Sequence, residues 1–174
     1  LKQHGYRYVL VDSAHVRPVT PMTQAELLYR PHIARFGKDE IVVVVRDREL
    51  SDAMVSGMDY LWFVHEIARR TGECTFEPLV TTGCNGENGS WFRNTRNEAN
   101  FWGGFYRELL QDTRTRGIIA PSFIHDYIDR HGVFGEVTVD TGAWNTEWHD
   151  GKDFTQWTGT PTQRDTLERL RRVS

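Results

Sequence analysis

The 174-residue chain has no large excess of charge, no long apolar run and few cysteines. Its formal net charge is −3, and clustered positive charge of the kind that binds nucleic acid or anionic membranes is confined to the carboxyl-terminal RLRRVS, where a solvated helix face is the simpler reading. No stretch approaches the ~20 apolar residues that span a bilayer, and the amino terminus lacks the layout of a signal peptide. We therefore predict a soluble protein that binds neither nucleic acid nor membrane.

The two cysteines, Cys74 and Cys84, have neither the density of a disulfide scaffold nor the spacing of metal ligands. His65, His125 and His131 fall in helical patterns, where a lone histidine is more often packed or exposed than bound to a metal. We therefore expect a reducing compartment, with the cytoplasm as the default, and we expect no metal or other cofactor.

Other motifs of catalysis are also missing. No glycine-rich phosphate loop follows an apolar run, and no Ser-His-Asp arrangement with an elbow motif occurs, which argues against phosphoryl and acyl transfer. Neither an internal repeat nor a low-complexity tract interrupts the chain. A hydrophobic content of 39% is enough for an ordinary core, so residues 1–174 fit one domain or part of a larger one.

Four short apolar runs have the continuous pattern that is typical of strands buried on both faces. They are YRYVLVD (6–12), IVVVVRD (41–47), FEPLVTT (76–82) and EVTVD (136–140). Apolar residues at helical spacing occupy 59–70, 97–111, 121–131 and the end of the chain from Pro161. Strands that alternate with helices predict parallel crossovers, and therefore an α/β sheet or barrel.

In such folds the functional side chains gather where the strands end, at the carboxyl edge of the sheet. The residues just beyond the four predicted strands are polar or aromatic: Asp12 and His15, Arg46 and Asp47, Asn85, Glu87 and Trp91, and Trp144 and Trp148. Tryptophan faces can stack on the C–H face of a sugar ring, while carboxylates and amides bind its hydroxyls. This combination predicts a saccharide site.

Structural roles compete with this interpretation for several of these residues. Asp12 has the position of a loop cap. Arg46 and Asp47 suit either a structural ion pair at the strand end or a role in orienting the loop that contains Asn85. Trp91 is a candidate sugar platform or a core residue. Ser51 and Asp52 are candidate caps for the helix that follows the second strand.

Three segments, in this order along the chain, resemble glycoside hydrolase family 57: RDRELSDAMVSG (46–57), GCNGENGSWFRN (83–94) and VTVDTGAWNTEWHDGKDFTQWTG (137–159). The resemblance covers nearly the whole chain. It implies a parallel-strand, incomplete (β/α)7-type barrel, of which this chain supplies roughly the second half. It further implies a retaining glycoside hydrolase or 4-α-glucanotransferase that acts on α-linked glucans. The implied partners are an oligosaccharide or polysaccharide and the amino-terminal half of the same barrel.

The resemblance also gives the NGE motif at 85–87 a specific meaning. It aligns with a DGE-type motif in the family and places Asn85 at the position of the general acid and base, which an amide cannot serve as. The family's nucleophilic glutamate lies in an earlier segment, which would precede Leu1. Three explanations fit Asn85: an engineered replacement in an enzyme, a natural loss that leaves an oligosaccharide-binding pseudoenzyme, or an atypical enzyme in which Glu87 supplies the acid.

Overall fold

A computed structural model describes residues 1–56, 58–85, 101–112, 114–143 and 154–173. The chain divides into two compact units, Leu1–Val139 and Asp140–Ser174. The first unit contains a five-stranded sheet with helices, so the α/β class predicted from the sequence is confirmed.

The strands of this sheet are β1 (Tyr8–Asp12), β2 (Val16–Pro18), β3 (His32–Phe36), β4 (Asp39–Arg46) and β5 (Glu136–Val139). Their order in the sheet is β1-β4-β3-β5-β2. The pairs β1/β4 and β3/β5 are parallel, whereas β3/β4 and β2/β5 are antiparallel. The sheet is therefore mixed, and the expectation of parallel strands is wrong for these two antiparallel pairs, one of which, β3/β4, is a hairpin.

That hairpin was not anticipated from the sequence. β3 is short and half polar, and it joins β4 through a two-residue turn in which Gly37 has a φ of 61°. Such a turn needs a positive φ, which glycine adopts without strain. β2 was missed because it is a three-residue edge strand that ends in Pro18.

One predicted strand is wrong. Residues 76–82 form no strand, and only Thr81 makes an isolated parallel bridge, to Arg46. Pro78 has no N–H to donate to a ladder. The neighbouring backbone groups have other partners, since the Leu79 N–H donates to the Tyr29 carbonyl at 2.9 Å and the Glu77 carbonyl accepts from the Tyr127 hydroxyl.

The helices of the first unit are α1 (Gln24–Tyr29), α2 (Arg48–Ser56), α3 (Tyr60–Thr71), a π-helical segment (Phe101–Arg107) that continues into α4 (Glu108–Gln111), and α5 (Ile124–His131). The helices predicted over 59–70 and 121–131 are confirmed, and 97–111 is helical from Phe101 onward in its described part. The amino terminus of α3 is capped by Asp59, whose carboxylate accepts from the Leu61 N–H at 2.9 Å.

Two hydrophobic clusters stabilise this unit. One packs α1 on the sheet through Leu27, Val43, Val45, Val16 and Val137. The other joins α2, α3 and the π-helical segment through Leu50, Met54, Phe63 and Phe105. The rings of Phe63 and Phe105 meet edge to face with centroids 5.2 Å apart. One cluster therefore holds α1 on the sheet, and the other holds α2 and α3 together.

The second unit contains α6 (Thr155–Thr158) and α7 (Pro161–Val173). The predicted helix that starts at Pro161 is thereby confirmed, and the position of proline there agrees with its preference for the first turn. In the part of the chain that the structure describes, no helix combines the length and the apolar composition that crossing a bilayer requires.

His32 is a buried histidine at the start of β3. Its side chain is fully inaccessible, and its Nε2 lies 3.1 Å from the Leu27 carbonyl. Its Nδ1 has no hydrogen-bond partner among the described residues. Burial lowers the pKa of His32, and the contact with the Leu27 carbonyl offsets this only in part. The neutral ring is therefore the form that the fold accommodates.

This burial predicts a loss of stability in acid. Because the folded pKa is lowered, the unfolded chain binds more protons once the pH falls below the ordinary histidine value of about 6.5. The contribution of neutral His32 to the free energy of unfolding is complete above that pH. It is lost as the pH falls toward the folded pKa, and the free energy of unfolding then decreases by up to about 1.4 kcal/mol per pH unit. Urea unfolding at a series of pH values measures this loss of unfolding free energy.

His32→Gln should flatten the dependence of the unfolding free energy on pH. His125→Gln, at a half-exposed position, is the control and should leave that dependence unchanged. Equal slopes in both variants would contradict the assignment to His32.

Candidate functional site

The parallel register of β1 and β4 places Asp12 beside Arg46 at the carboxyl ends of the two strands. The two side chains form an ion pair, and the Arg46 side chain is only 8% exposed. Arg46 also donates through Nε to the Gly83 carbonyl at 2.8 Å and through Nη2 to Asp52 at 3.2 Å. One guanidinium thus connects β1, α2 and the segment that leads to Asn85.

Asp12 has two roles at this edge. Its Oδ1 accepts from the Ala14 N–H at 3.0 Å and caps the 3-10 turn Ser13–His15, as the structural interpretation of the sequence proposed. Its Oδ2 binds Arg46, and Arg48 lies 3.8 Å from the same carboxylate. Arg48 also approaches Asp52 at 3.7 Å, four residues along α2. Carboxylates and guanidiniums therefore alternate around the strand ends.

The segment that leads to Asn85 is fixed by three backbone contacts. The Asp47 N–H donates to the Thr81 carbonyl at 2.8 Å, and the Gly83 N–H donates to the Ser51 hydroxyl at 3.1 Å. Arg46 binds the Gly83 carbonyl, as described above. Asn85 follows two residues later and is exposed. The segment that leads to the NGE motif therefore lies at the carboxyl edge of β1 and β4, although it does not follow the strand over 76–82 that the sequence predicted.

Asp47 has a different set of partners. It accepts from the buried Tyr29 hydroxyl at 2.9 Å and from the Leu50 N–H at 2.9 Å, and Arg70 lies 3.3 Å away. Burial, reinforced by the Asp47 charge, raises the pKa of Tyr29 and keeps its hydroxyl protonated. Asp47 therefore caps α2, so the capping role that the sequence suggested for Ser51 or Asp52 is wrong. Ser51 instead donates to the Asp47 carbonyl at 2.5 Å, and Asp52 accepts from Arg46.

The Arg70 guanidinium extends this network on α3. It donates to Glu66 at 2.8 Å and to Glu49 at 2.9 Å. Glu66 also accepts two hydrogen bonds from Arg69, at 2.8 and 2.7 Å. These contacts, with Arg69 first and Arg70 second, lower the pKa of Glu66 to about 2. Arg70 and Tyr29 could not be predicted from spacing along the chain, because their partners lie on distant segments.

The other predicted site residues divide into two groups. His15 is buried, with 6% of its surface exposed, at the end of the 3-10 turn that Asp12 caps. Glu87, Trp91, Trp144 and Trp148 lie outside the described residues. The structure thus brings Asp12, Arg46 and the start of the Asn85 loop together and directs Asp47 toward α1 and α3. Within the described ranges, no group of three or more histidine, cysteine, aspartate or glutamate side chains is arranged to hold a metal ion.

Comparison with known proteins adds no relative to these observations, since neither a family model nor a curated protein matches the chain.

The substitution Arg46→Lys tests whether Arg46 anchors the segment that leads to Asn85. An ammonium keeps the charge but cannot hold Asp12, Asp52 and the Gly83 carbonyl together. We expect the free energy of unfolding to fall by about 2 kcal/mol and amide exchange over 81–85 to accelerate.

Arg35→Lys is the matched control for this experiment. Arg35 also bridges two carboxylates, of Glu40 and Glu136, but its side chain is 56% exposed. We expect a change below about 0.5 kcal/mol and no effect on exchange over 81–85. Equal effects of the two substitutions would show that Arg46 does not anchor the loop.

Proposed function

We propose that this chain is part of a carbohydrate-active protein similar to glycoside hydrolase family 57, and that the edge formed by Asp12, Arg46 and Asn85 faces an α-linked glucan. The observation that carries the proposal is the anchoring of the Asn85 loop at the carboxyl ends of two parallel strands by Arg46. This is the edge at which α/β folds bind ligands. The motifs quoted above provide the link to saccharides.

In the enzyme form of the proposal, the residue at position 85 lies next to the glycosidic oxygen. Retaining cleavage requires one carboxyl group that protonates this oxygen and a second, about 5–5.5 Å away, that attacks the anomeric carbon. Water or another sugar then releases the glycosyl group. An asparagine at position 85 can bind the oxygen but cannot protonate it. An aspartate at position 85 and a glutamate from another segment of the barrel would complete the reaction.

In the alternative form, the protein holds an oligosaccharide without cleaving it. The exposed amide of Asn85 both donates and accepts hydrogen bonds, as sugar hydroxyls require. Glu87 and the tryptophans at 91, 144 and 148 would provide the remaining contacts. This form needs no second carboxyl group.

The sheet itself supports a larger barrel as the complete unit. β1 is an end strand of the described sheet, and Leu10, in its middle, is 49% exposed. Leu10 shares a face with Asp12, because side chains two residues apart in a strand lie on the same side. We propose that further strands of a (β/α)7-type barrel pair with the free edge of β1, and that other parts of the whole protein cover the face that contains Leu10. We also propose that the whole protein is cytoplasmic.

Saccharide binding tests the proposal directly. We expect maltohexaose to bind more tightly than cellohexaose in calorimetry, because the site is proposed to fit α-linked glucose. Trp91→Ala should weaken binding about tenfold by removing a stacking surface. Trp102→Ala, at an exposed tryptophan of the π-helical segment, is the control and should leave the affinity unchanged. Failure of both sugars to bind would refute the proposal.

A second experiment separates the enzyme from the binding protein. Asn85→Asp in the full polypeptide that the gene encodes should leave the affinity for maltohexaose within about twofold, because an amide and a carboxyl group are nearly equal in size. If the protein is an enzyme inactivated at this position, reducing ends appear with Asn85→Asp and not with Asn85→Gln. Binding without any turnover in either variant identifies the saccharide-binding form.

A further inference from the structure

A cleft with both polar and apolar lining lies at the end of β4, next to Asp47. It is a cleft of about 620 Å³ between α1, the 3-10 turn after β1, and the last turn of α3. This volume is within the range of about 300–1,000 Å³ that is usual for small-molecule sites. We call it the α1–α3 cleft.

The floor of the α1–α3 cleft is preformed. Tyr29 and Asp47 are each 2% exposed and bind each other at 2.9 Å. Asp47 is held further by the Leu50 N–H, and Arg70 closes the floor from α3. All of these polar groups have protein partners, so the floor has a fixed shape before any ligand arrives.

Each arginine in the lining of the cleft has at least one carboxylate partner. Its lining includes Arg48, Arg69 and Arg70. Arg69 and Arg70 share Glu66, Arg70 also binds Glu49, and Arg48 lies within 3.8 Å of two further carboxylates. Paired guanidiniums offer no surplus charge to an ion, so the cleft favours a neutral ligand over a phosphate or carboxylate.

The remaining lining suits a polyhydroxylated molecule. Ser13 and Gln24 provide a hydroxyl and an amide, whereas Ala14, Ala25 and Leu28 provide a small apolar surface. A sugar has the matching features, since its hydroxyls both donate and accept hydrogen bonds while its C–H face packs on aliphatic side chains.

We propose that the α1–α3 cleft is a second saccharide site, separate from the Asn85 edge. The choice of an α-glucan as its ligand rests on the proposed function, whereas the preference for a neutral polyol rests on the cleft alone. Arg46 and Asp47 are consecutive, so the two sites lie back to back on one strand exit. One long glucan or two short ones would then contact the protein at both places.

Amide chemical shifts of the labelled chain test this proposal with maltotriose and, separately, with inorganic phosphate as probes. We expect maltotriose to shift the signals of Ser13 and Gln24 in addition to those of 82–85. Ala25→Phe should fill the cleft and weaken the shifts at Ser13 and Gln24 at least about tenfold in apparent affinity, with those at 82–85 unchanged. Ala120→Phe adds the same ring at an exposed position and should change neither set. Gln24→Ala, at an exposed position, provides a second variant that removes one polar group without adding bulk.

The outcomes separate the two proposals. The second site is overturned if maltotriose shifts only the signals of 82–85. It is also overturned if the cleft shifts persist in both Ala25→Phe and Gln24→Ala. Either result leaves the proposed function intact. Cleft shifts without any at 82–85 support the second site and count against the Asn85 edge. Cleft shifts with phosphate but not with maltotriose overturn the preference for a neutral polyol, and no shift with either probe refutes both sites.

Discussion

The parallel register of β1 and β4 is the constraint on which the candidate site depends. It brings Asp12 and Arg46 to the same level at the carboxyl edge, where their ion pair is almost inaccessible to water. A buried guanidinium is costly unless several acceptors share it. Arg46 meets this requirement by adding Asp52 and the Gly83 carbonyl to Asp12. The position of the segment that leads to Asn85 therefore depends on the hydrogen bonds that Arg46 makes.

Asp47 follows Arg46 in the chain, and its side chain has the opposite orientation. The polar groups at the end of β4 therefore form two networks. Side chains alternate at the end of a strand, so Arg46 meets β1 and the Asn85 loop while Asp47 meets Tyr29 and Arg70. The backbone of Asp47 nevertheless joins the two networks, because its N–H binds the Thr81 carbonyl. Thr81 is thus bonded to the residue whose side chain belongs to the second network.

The sequence predicted those parts of this arrangement that depend on local pattern. β1 and β4 are continuous apolar runs, and the residues that follow them were correctly placed at the carboxyl edge. The strand predicted at 76–82 failed because Pro78 interrupts it, and β3 was missed because it is only five residues long and contains His32 and Arg35, so it is not a continuous apolar run. Tyr29, Gly83 and Arg70 were not identified because each acts through a partner many residues away, a relation that spacing along the chain does not contain.

The contacts that hold the segment 81–85 favour ligand binding equally in a binding protein and in an enzyme. Because the segment 81–85 is already held by these contacts, it loses less conformational entropy when a ligand binds, whatever residue stands at position 85. Proton transfer, in contrast, depends on whether that residue is an acid and on a second carboxyl group nearby. Arg46 fixes Gly83 through a backbone carbonyl and makes no use of the Asn85 side chain in that contact. An exchange of amide for carboxylic acid at position 85 therefore changes the chemistry available at this edge while the geometry that presents it remains.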